Sequence, residues 1–172
     1  MGVSEARAGE EEGVSIGAVI AFTVLGRPVP LDRPRIFRGR NVTTERCRDA
    51  KSVMAWCARQ AQKTQSRILD PWSGPVRLEC TFVFGAPKTW PKWKRALVAG
   101  GVLVPHTARP DTSNLVKLVE DALSGVLYRD DAQVCEYGAT LKVWGLLDET
   151  RIRLTFLPVP DARDYSAPRP AS

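Results

Sequence analysis

Alternating apolar and polar positions predict the strands of this chain. Between residues 76 and 84 every second position is apolar, which is the pattern of a strand with one buried face. These positions are Val76, Leu78, Cys80, Phe82 and Phe84. An apolar run over residues 18–25 predicts a first strand, and residues 133–144 and 151–157 predict two last strands that form a hairpin turned at 145–149.

Capping residues and helical periodicity predict a long helix in the first half of the chain. Thr43 or Thr44 can cap it, because a threonine hydroxyl accepts a hydrogen bond from a free backbone amide at a helix start. The helix is expected to run to about Ile68. Its predicted apolar side is Val53, Met54, Trp56, Cys57 and Ala61.

The middle of the chain predicts a second and a third helical segment. Residues 90–98 predict a short helix or turn rich in basic and aromatic side chains. Residues 114–123 predict a helix that Ser113 caps and Gly125 stops. The apolar side of that helix is Leu115, Leu118, Val119, Ala122 and Leu123.

Helices and strands mixed in this order predict the α+β class. We expect a single domain with a mixed or antiparallel sheet and helices packed on one of its faces. A length of 172 residues suits one domain with a substantial core. The folded body should span residues 16–157, between a disordered acidic tail (1–15) and a flexible proline-rich tail (158–172).

Composition narrows the class of protein. Apolar residues make up 44% and charged residues 26%, which is typical of a soluble globular protein. No apolar run approaches the roughly 20 residues of a membrane-spanning helix, and the acidic start differs from a secretory signal, so we expect a cytoplasmic protein without membrane contact. The four scattered cysteines lack zinc-site spacing. The one histidine, His106, is either an ordinary loop residue or part of a site lining.

Charge is segregated along the chain. Residues 16–67 hold eleven Lys/Arg against three Asp/Glu, and residues 80–110 hold five Lys/Arg and no acid. Residues 111–150 reverse the balance, with eight acids against three Lys/Arg. Basic segments that flank one acidic segment are typical of a phosphate-binding surface around a metal ion.

The acidic segment carries the candidate chemistry. Crowded carboxylates repel one another, and a divalent cation relieves that repulsion. Five carboxylates lie within 21 residues: Asp111, Glu120, Asp121, Asp130 and Asp131.

Two simpler interpretations of these residues remain open. Asn114, Lys117 and Asp121 share one face of the predicted helix, so Lys117 and Asp121 could equally form a surface ion pair. Asp130-Asp131 could equally be part of a solvated turn.

Three motifs resemble the RusA family of Holliday junction resolvases. They are Pro-Asp-x-x-Asn-Leu-x-Lys at 110–117, Asp-Ala-Leu-x-Gly at 121–125 and Asp-Asp-x-Gln-Val at 130–134, in the family's order and spacing. The proline- and arginine-rich residues 26–35 are similar to a segment that follows the family's first strand. The resemblance covers about residues 20–157 and implies a RusA-like fold.

The resemblance implies an Mg²⁺-dependent homodimeric endonuclease, with Mn²⁺ as a substitute, that cuts four-way DNA junctions in recombination and repair. It also implies a bacterial protein, with a phage or prophage origin as one alternative. By position, Asp111 and Asp131 resemble metal-binding catalytic carboxylates. Asp130 beside them is a further catalytic and metal-binding candidate, and Asp121 is a further candidate ligand. Lys117 resembles the family's essential lysine, and Asn114 a site-supporting residue.

Ser113 departs from the family pattern, which commonly has a second aspartate at this position. A serine offers Mg²⁺ a neutral oxygen in place of a carboxylate. Either the remaining aspartates and water hold the metal, or activity is weak or lost and the chain is a junction-binding protein. A structural cation site in a nucleic-acid scaffold is a third alternative.

The basic segments are the candidate DNA-binding surface. Trp90 and Trp93 could stack on unpaired bases or pack within the protein. The arginine-rich loop over residues 27–40 could also be a solvated turn. The expected phosphate contacts are Arg33, Arg35, Arg38, Arg40, Lys88, Lys92, Lys94, Arg95 and Arg109.

Overall fold

The computed structural model describes residues 17–32, 35–37, 40–67 and 69–158. The two predicted tails lie outside these residues, apart from Pro158. In chain order the elements are β1 (Val19–Leu25), β2 (Arg35–Phe37), β3 (Arg40–Val42), α1 (Glu45–Gln65), β4 (Val76–Gly85), α2 (Lys92–Ala99), β5 (Val104–Pro105), α3 (Thr112–Leu123), a short 3-10 helix (Asp131–Gln133), β6 (Val134–Gly145) and β7 (Glu149–Phe156).

A mixed five-stranded sheet forms the centre of a single α+β domain, as the sequence predicts. Its strand order is β1-β7-β4-β6-β5, with β4 and β6 parallel and the other neighbours antiparallel. A parallel pair needs a long crossover, and the segment with α2 and α3 supplies it. No helix within the described ranges has both the length and the apolar character to cross a bilayer.

The predicted hairpin of the last two strands is wrong. β6 and β7 lie on opposite sides of β4, so the short connection between them crosses the end of that strand. Asp148 holds the crossing, because its Oδ1 accepts a hydrogen bond from the Gly85 amide at 2.8 Å. A side chain at Gly145 would meet Val83, so the close approach requires glycine there.

The buried face of β4 is the one that alternation predicts, with all five of its apolar positions buried. The long helix is capped by Thr44 as expected, but two residues of its predicted apolar side are wrong. Val53 and Trp56 are 49% and 62% exposed. The buried stripe of α1 follows a different helical phase: Cys47, Met54, Ala58, Ala61 and Gln62.

α3 buries the predicted leucine side and begins two residues earlier than expected. Its N-cap position is Asp111, which has extended backbone angles (φ −72°, ψ 139°), and Ser113 lies within the first turn. The capping role predicted for Ser113 is therefore wrong. Residues 35–37 and 40–42 pair as a two-stranded ribbon, whereas the sequence predicts a loop throughout residues 27–40.

Candidate active site

A cleft of about 660 Å³ opens at the first turn of α3, and we call it the Asp111 cleft. Three arginines from separate parts of the chain, Arg27, Arg46 and Arg109, line it together with two carboxylates, Asp32 and Asp111. Guanidinium groups around an exposed carboxylate can bind a phosphate ester together with a cation. The other lining residues are Pro28, Pro30, Leu31, Phe84, Pro110 and Asn114.

The loop that carries Arg109 and Asp111 is held by a lysine of β6. The Nζ of Lys142 donates hydrogen bonds to the carbonyl oxygens of Ala108 and Pro110, each at 2.7 Å. Hydrogen bonds from a charged donor are stronger than those between neutral groups. Lys142 therefore fixes the backbone on both sides of Arg109, immediately before Asp111.

The opposite wall of the cleft is the loop after β1. The Leu31 amide donates to the Asn114 carbonyl at 2.8 Å, which ties this loop to α3. Thr44 Oγ1 donates to Asp32 Oδ2 at 2.6 Å, which ties it to the start of α1. The buried Cys47 thiol adds a contact to the Pro30 carbonyl at 3.4 Å. Both walls of the cleft are thus attached to helices.

A layer of aromatic rings supports the floor of the cleft. His106 stacks on Trp144, with ring centroids 4.0 Å apart, and contacts Phe84 at 4.5 Å. The Arg27 guanidinium lies over the Phe84 ring, 5.6 Å from its centroid. His106 is only 5% exposed, so it is a packed residue behind the cleft. Burial lowers the pKa of His106, and the positive charge of Lys142 lowers it further.

The second acidic motif forms a turn before β6. Gln133 holds this turn: its Oε1 accepts from the amides of Arg129 and Asp130, and its Nε2 donates to the Trp72 and Gly74 carbonyls. Asp130 Oδ1 accepts from the Ala132 amide at 2.9 Å, so this carboxylate caps the 3-10 helix.

Asp131 lies exposed near the last turn of α3. Tyr137, on β6, donates a hydrogen bond to the Glu120 carboxylate of that turn. This hydrogen bond, with burial and the negative charges of Glu120 and Asp131, raises the pKa of Tyr137 to about 12. The negative charges of Glu120 and Asp131 also raise the pKa of the buried Tyr128, after the larger effect of burial.

The predicted metal-binding carboxylates lie on different elements of the fold. Asp111 is the N-cap of α3, whereas Asp131 begins the 3-10 helix before β6. Along β6, Tyr137 reaches Glu120 in the last turn of α3, and Lys142, further on, reaches the loop before Asp111. Asp121 pairs with Lys51 of α1 at 2.6 Å. Across the described ranges, no three His, Cys, Asp or Glu side chains converge as a metal site.

Lys117 lies on the exposed side of α3, between the two acidic positions. The helix directs its leucines inward, which leaves this ammonium group in solvent. It therefore stands where a bound phosphate backbone could contact it.

The predicted DNA-binding residues fall into three groups. Arg33 and Arg38 lie outside the described residues, as do the side chains of Arg35 and Arg40 on β2 and β3. Arg109 lines the Asp111 cleft. The α2 segment carries the others: Lys88, Lys92 and Arg95 are exposed, and Lys94 lies 3.7 Å from the Trp90 ring centroid.

Several residues of the site are missed by sequence patterns. Lys142 gives no sequence signal, because its partners are backbone carbonyls 32 and 34 positions away. Arg27 and Arg46 belong to the first basic segment, but only the fold brings both to Asp111. Gln133 is visible in the Asp-Asp-x-Gln motif, where its spacing from Asp130 suits a turn.

Comparison with known proteins places the chain in a family. The family described as endodeoxyribonuclease RusA matches residues 26–155, and the chain belongs to this family. The resemblance seen in the sequence motifs is thereby confirmed. An uncharacterized protein of Bacillus subtilis (strain 168), YqaN, is 33% identical over 120 residues, which are 68% of this chain and 82% of the relative.

Proposed function

We propose that this chain is a metal-dependent endonuclease that cuts four-way DNA junctions as a homodimer. The observation that carries the proposal is the Asp111 cleft, in which an exposed carboxylate lies among three arginines in a chain of the RusA family. The reaction is hydrolysis of a phosphodiester, leaving a 5′-phosphate and a 3′-hydroxyl. The comparisons give no support to the alternative of a non-cleaving binder that Ser113 raises.

Mg²⁺ fits the donors of this cleft. Magnesium keeps several waters and is commonly bound through one or two carboxylates and the substrate phosphate. Asp111 would hold it, and Asn114 could orient a bound water. When bound, the cation lowers the pKa of water and neutralises charge on the phosphate. Mn²⁺ has the same preference for oxygen ligands and is expected to substitute.

The arginines and Lys117 have a separate task. Arg27, Arg46 and Arg109 line the cleft from three segments of the chain, so they can clamp the phosphate and stabilise its developing negative charge. Lys117, further along the exposed side of α3, would hold the adjoining backbone phosphate. Binding should therefore weaken steeply as salt is raised.

We expect dimerisation to bring Asp111 of one protomer and Asp131 of the other into one site. Asp111 lies at the start of α3 and Asp131 lies beyond its end, so we propose that a shared ion takes Asp131 from the other protomer. A two-fold dimer would hold two such pairs, and two equivalent sites would cut opposed strands. The positions of the two carboxylates on different elements support this arrangement, together with the exposure of both.

A cleavage assay tests the proposal. Purified protein is incubated with a synthetic four-way junction or a linear duplex of the same sequence, with Mg²⁺, Mn²⁺ or EDTA. We expect paired nicks in the junction that need metal and that Asp111→Asn abolishes. Asp70→Asn, an exposed aspartate outside the cleft, is the matched control. Equal cleavage of the duplex would refute junction selectivity, and cleavage in EDTA would refute the metal requirement.

A further inference from the structure

Two tryptophans of the α2 segment have opposite environments. Trp90 packs against Trp144, with ring centroids 5.3 Å apart, and the Lys94 ammonium lies over the Trp90 ring. Trp93, one residue into α2, is 66% exposed. An exposed tryptophan presents a large, rigid aromatic ring to solvent, where a partner can stack on it.

The surroundings of Trp93 favour a polyanion as its partner. Lys92 and Arg95 are exposed on the same helix and Lys88 is exposed just before it. Residues 80–110 contain no acid that would offset these charges. Leu97, one turn further along, is 43% exposed, so a second copy of this chain is the competing partner. The concentration of like charge disfavours self-association and favours nucleic acid.

α2 is fixed beside the Asp111 cleft by a continuous set of rings. Trp90 contacts Trp144, Trp144 stacks on His106, and His106 contacts Phe84, which lines the cleft. The segment that carries Trp93 is therefore connected to the lining of the Asp111 cleft through packed rings.

We propose that Trp93 stacks on an unpaired or unstacked DNA base next to the strand that enters the Asp111 cleft. The inference rests on the proposed function, since it assumes that this face binds DNA. A duplex offers no free base face, whereas a branch point or a single strand does. The indole would hold the base while the lysines and Arg95 neutralise the neighbouring phosphates.

The test uses junctions and single strands that carry 2-aminopurine at the branch point or mid-strand, in EDTA so that cleavage does not interfere. Stacking on an indole should quench the 2-aminopurine fluorescence. We expect Trp93→Ala to lose the quenching and to bind about tenfold more weakly, because base stacking on an aromatic side chain has about that effect. Trp93→Phe should retain part of both.

Trp56→Ala is the matched control, because Trp56 is an equally exposed tryptophan on α1. Equal quenching and affinity in Trp93→Ala and Trp56→Ala would overturn the inference. A change of sedimentation coefficient in Trp93→Ala alone, with quenching intact, would assign the residue to a protein interface and also overturn it. A chain that cuts no DNA but shows Trp93-dependent quenching would refute the nuclease and leave the stacking role standing.

Discussion

The Nζ of Lys142 lies 2.7 Å from the carbonyl oxygen of Pro110, the residue before Asp111. The same ammonium donates to Ala108 at 2.7 Å, so one lysine of the sheet holds two points of the loop. Catalysis depends on the position of a reacting group to within about 1 Å. Under the proposed function Lys142 is expected to be a positioning residue, because it holds the backbone next to Asp111.

Removing this lysine should lower the rate of cleavage more than the affinity for DNA. We expect Lys142→Met to reduce kcat about 10- to 100-fold, since displacement of a reacting group by about 1 Å has an effect of that order. The Kd for the junction in EDTA should change much less, because Arg27, Arg46 and Lys117 remain. Single-turnover cleavage and fluorescence anisotropy measure the two quantities.

Controls separate positioning from general stability. Lys142→Arg retains a charged donor and should recover part of the rate. Lys63→Met removes an exposed lysine of α1 that is far from the loop, and it should leave kcat unchanged. Loss of kcat and of affinity by the same factor in Lys142→Met would contradict a positioning role.

The solitary histidine should titrate below its ordinary pKa of about 6.5. Burial and the charges of Lys142 and Arg27 all disfavour imidazolium at His106. Because the folded pKa lies below the unfolded one, the stabilising contribution is complete above about pH 6.5 and is lost as the pH falls through the folded pKa. The only His signal in an NMR titration gives the folded pKa directly.

His106→Phe keeps a ring against Trp144 and removes the titration. Its free energy of unfolding should fall less between pH 7 and pH 5 than that of the unmodified protein, as measured by urea denaturation. An identical slope in both proteins would show that His106 is not linked to folding. A midpoint above 6.5 would show that a buried acceptor outweighs burial and the two cations.

The pKa of Tyr137 should depend on the acidic residues near the last turn of α3. Its pKa of about 12 lies above the ordinary value of about 10, chiefly because it donates a hydrogen bond to Glu120. The protonated form is the one that the fold favours. Its contribution to stability is therefore complete below about pH 10 and is lost as the pH rises toward 12.

Substituting each neighbouring acid in turn should lower the pKa of Tyr137 by different amounts. Glu120→Gln should lower the pKa of Tyr137 most, and Asp131→Asn should lower it less, because Asp131 acts only through its charge. Asp121→Asn should have little effect, since that carboxylate pairs with Lys51. Tyrosinate absorbance, with Tyr137→Phe as the blank, measures each value. A larger effect from Asp131→Asn would place that carboxylate nearer to Tyr137 than Glu120.

Local patterns in the sequence predict the buried sides of β4 and α3, because alternation and helical period are properties of a single segment. The crossover between β6 and β7 could not be predicted, since it depends on which strand lies between them. Asp148 and Gly145 make that crossing possible, and neither signals it alone. Val53 and Trp56 are apolar and next to the buried stripe of α1 in sequence, but they lie on the exposed side of the helix.

The acidic motifs also combine features that the sequence predicts with features that only the fold determines. Their spacing identifies the family, and Gln133 explains why Asp130 is held in a turn. The fold places Asp111 at the start of α3 and Asp131 beyond the end of that helix, just before β6. The chain then continues into β6, which runs parallel to β4. Proximity along the chain therefore does not imply a shared ion.

Mixing two inactive variants tests whether the carboxylates of two protomers form one site. Asp111→Asn and Asp131→Asn are each expected to abolish cleavage. If each site takes Asp111 from one protomer and Asp131 from the other, a heterodimer of the two variants has one site with both aspartates and one with neither. It should then nick one strand of the junction without cutting its opposite.

If both aspartates of a site come from one protomer, every site in the heterodimer lacks one of them, and the mixture stays inactive after denaturation and joint refolding. Renewed nicking at up to about a quarter of the unmodified rate supports the shared site, because random mixing makes about half of the dimers mixed and each mixed dimer has one intact site of two. Persistent inactivity, with mixed dimers verified by mass spectrometry, would contradict it.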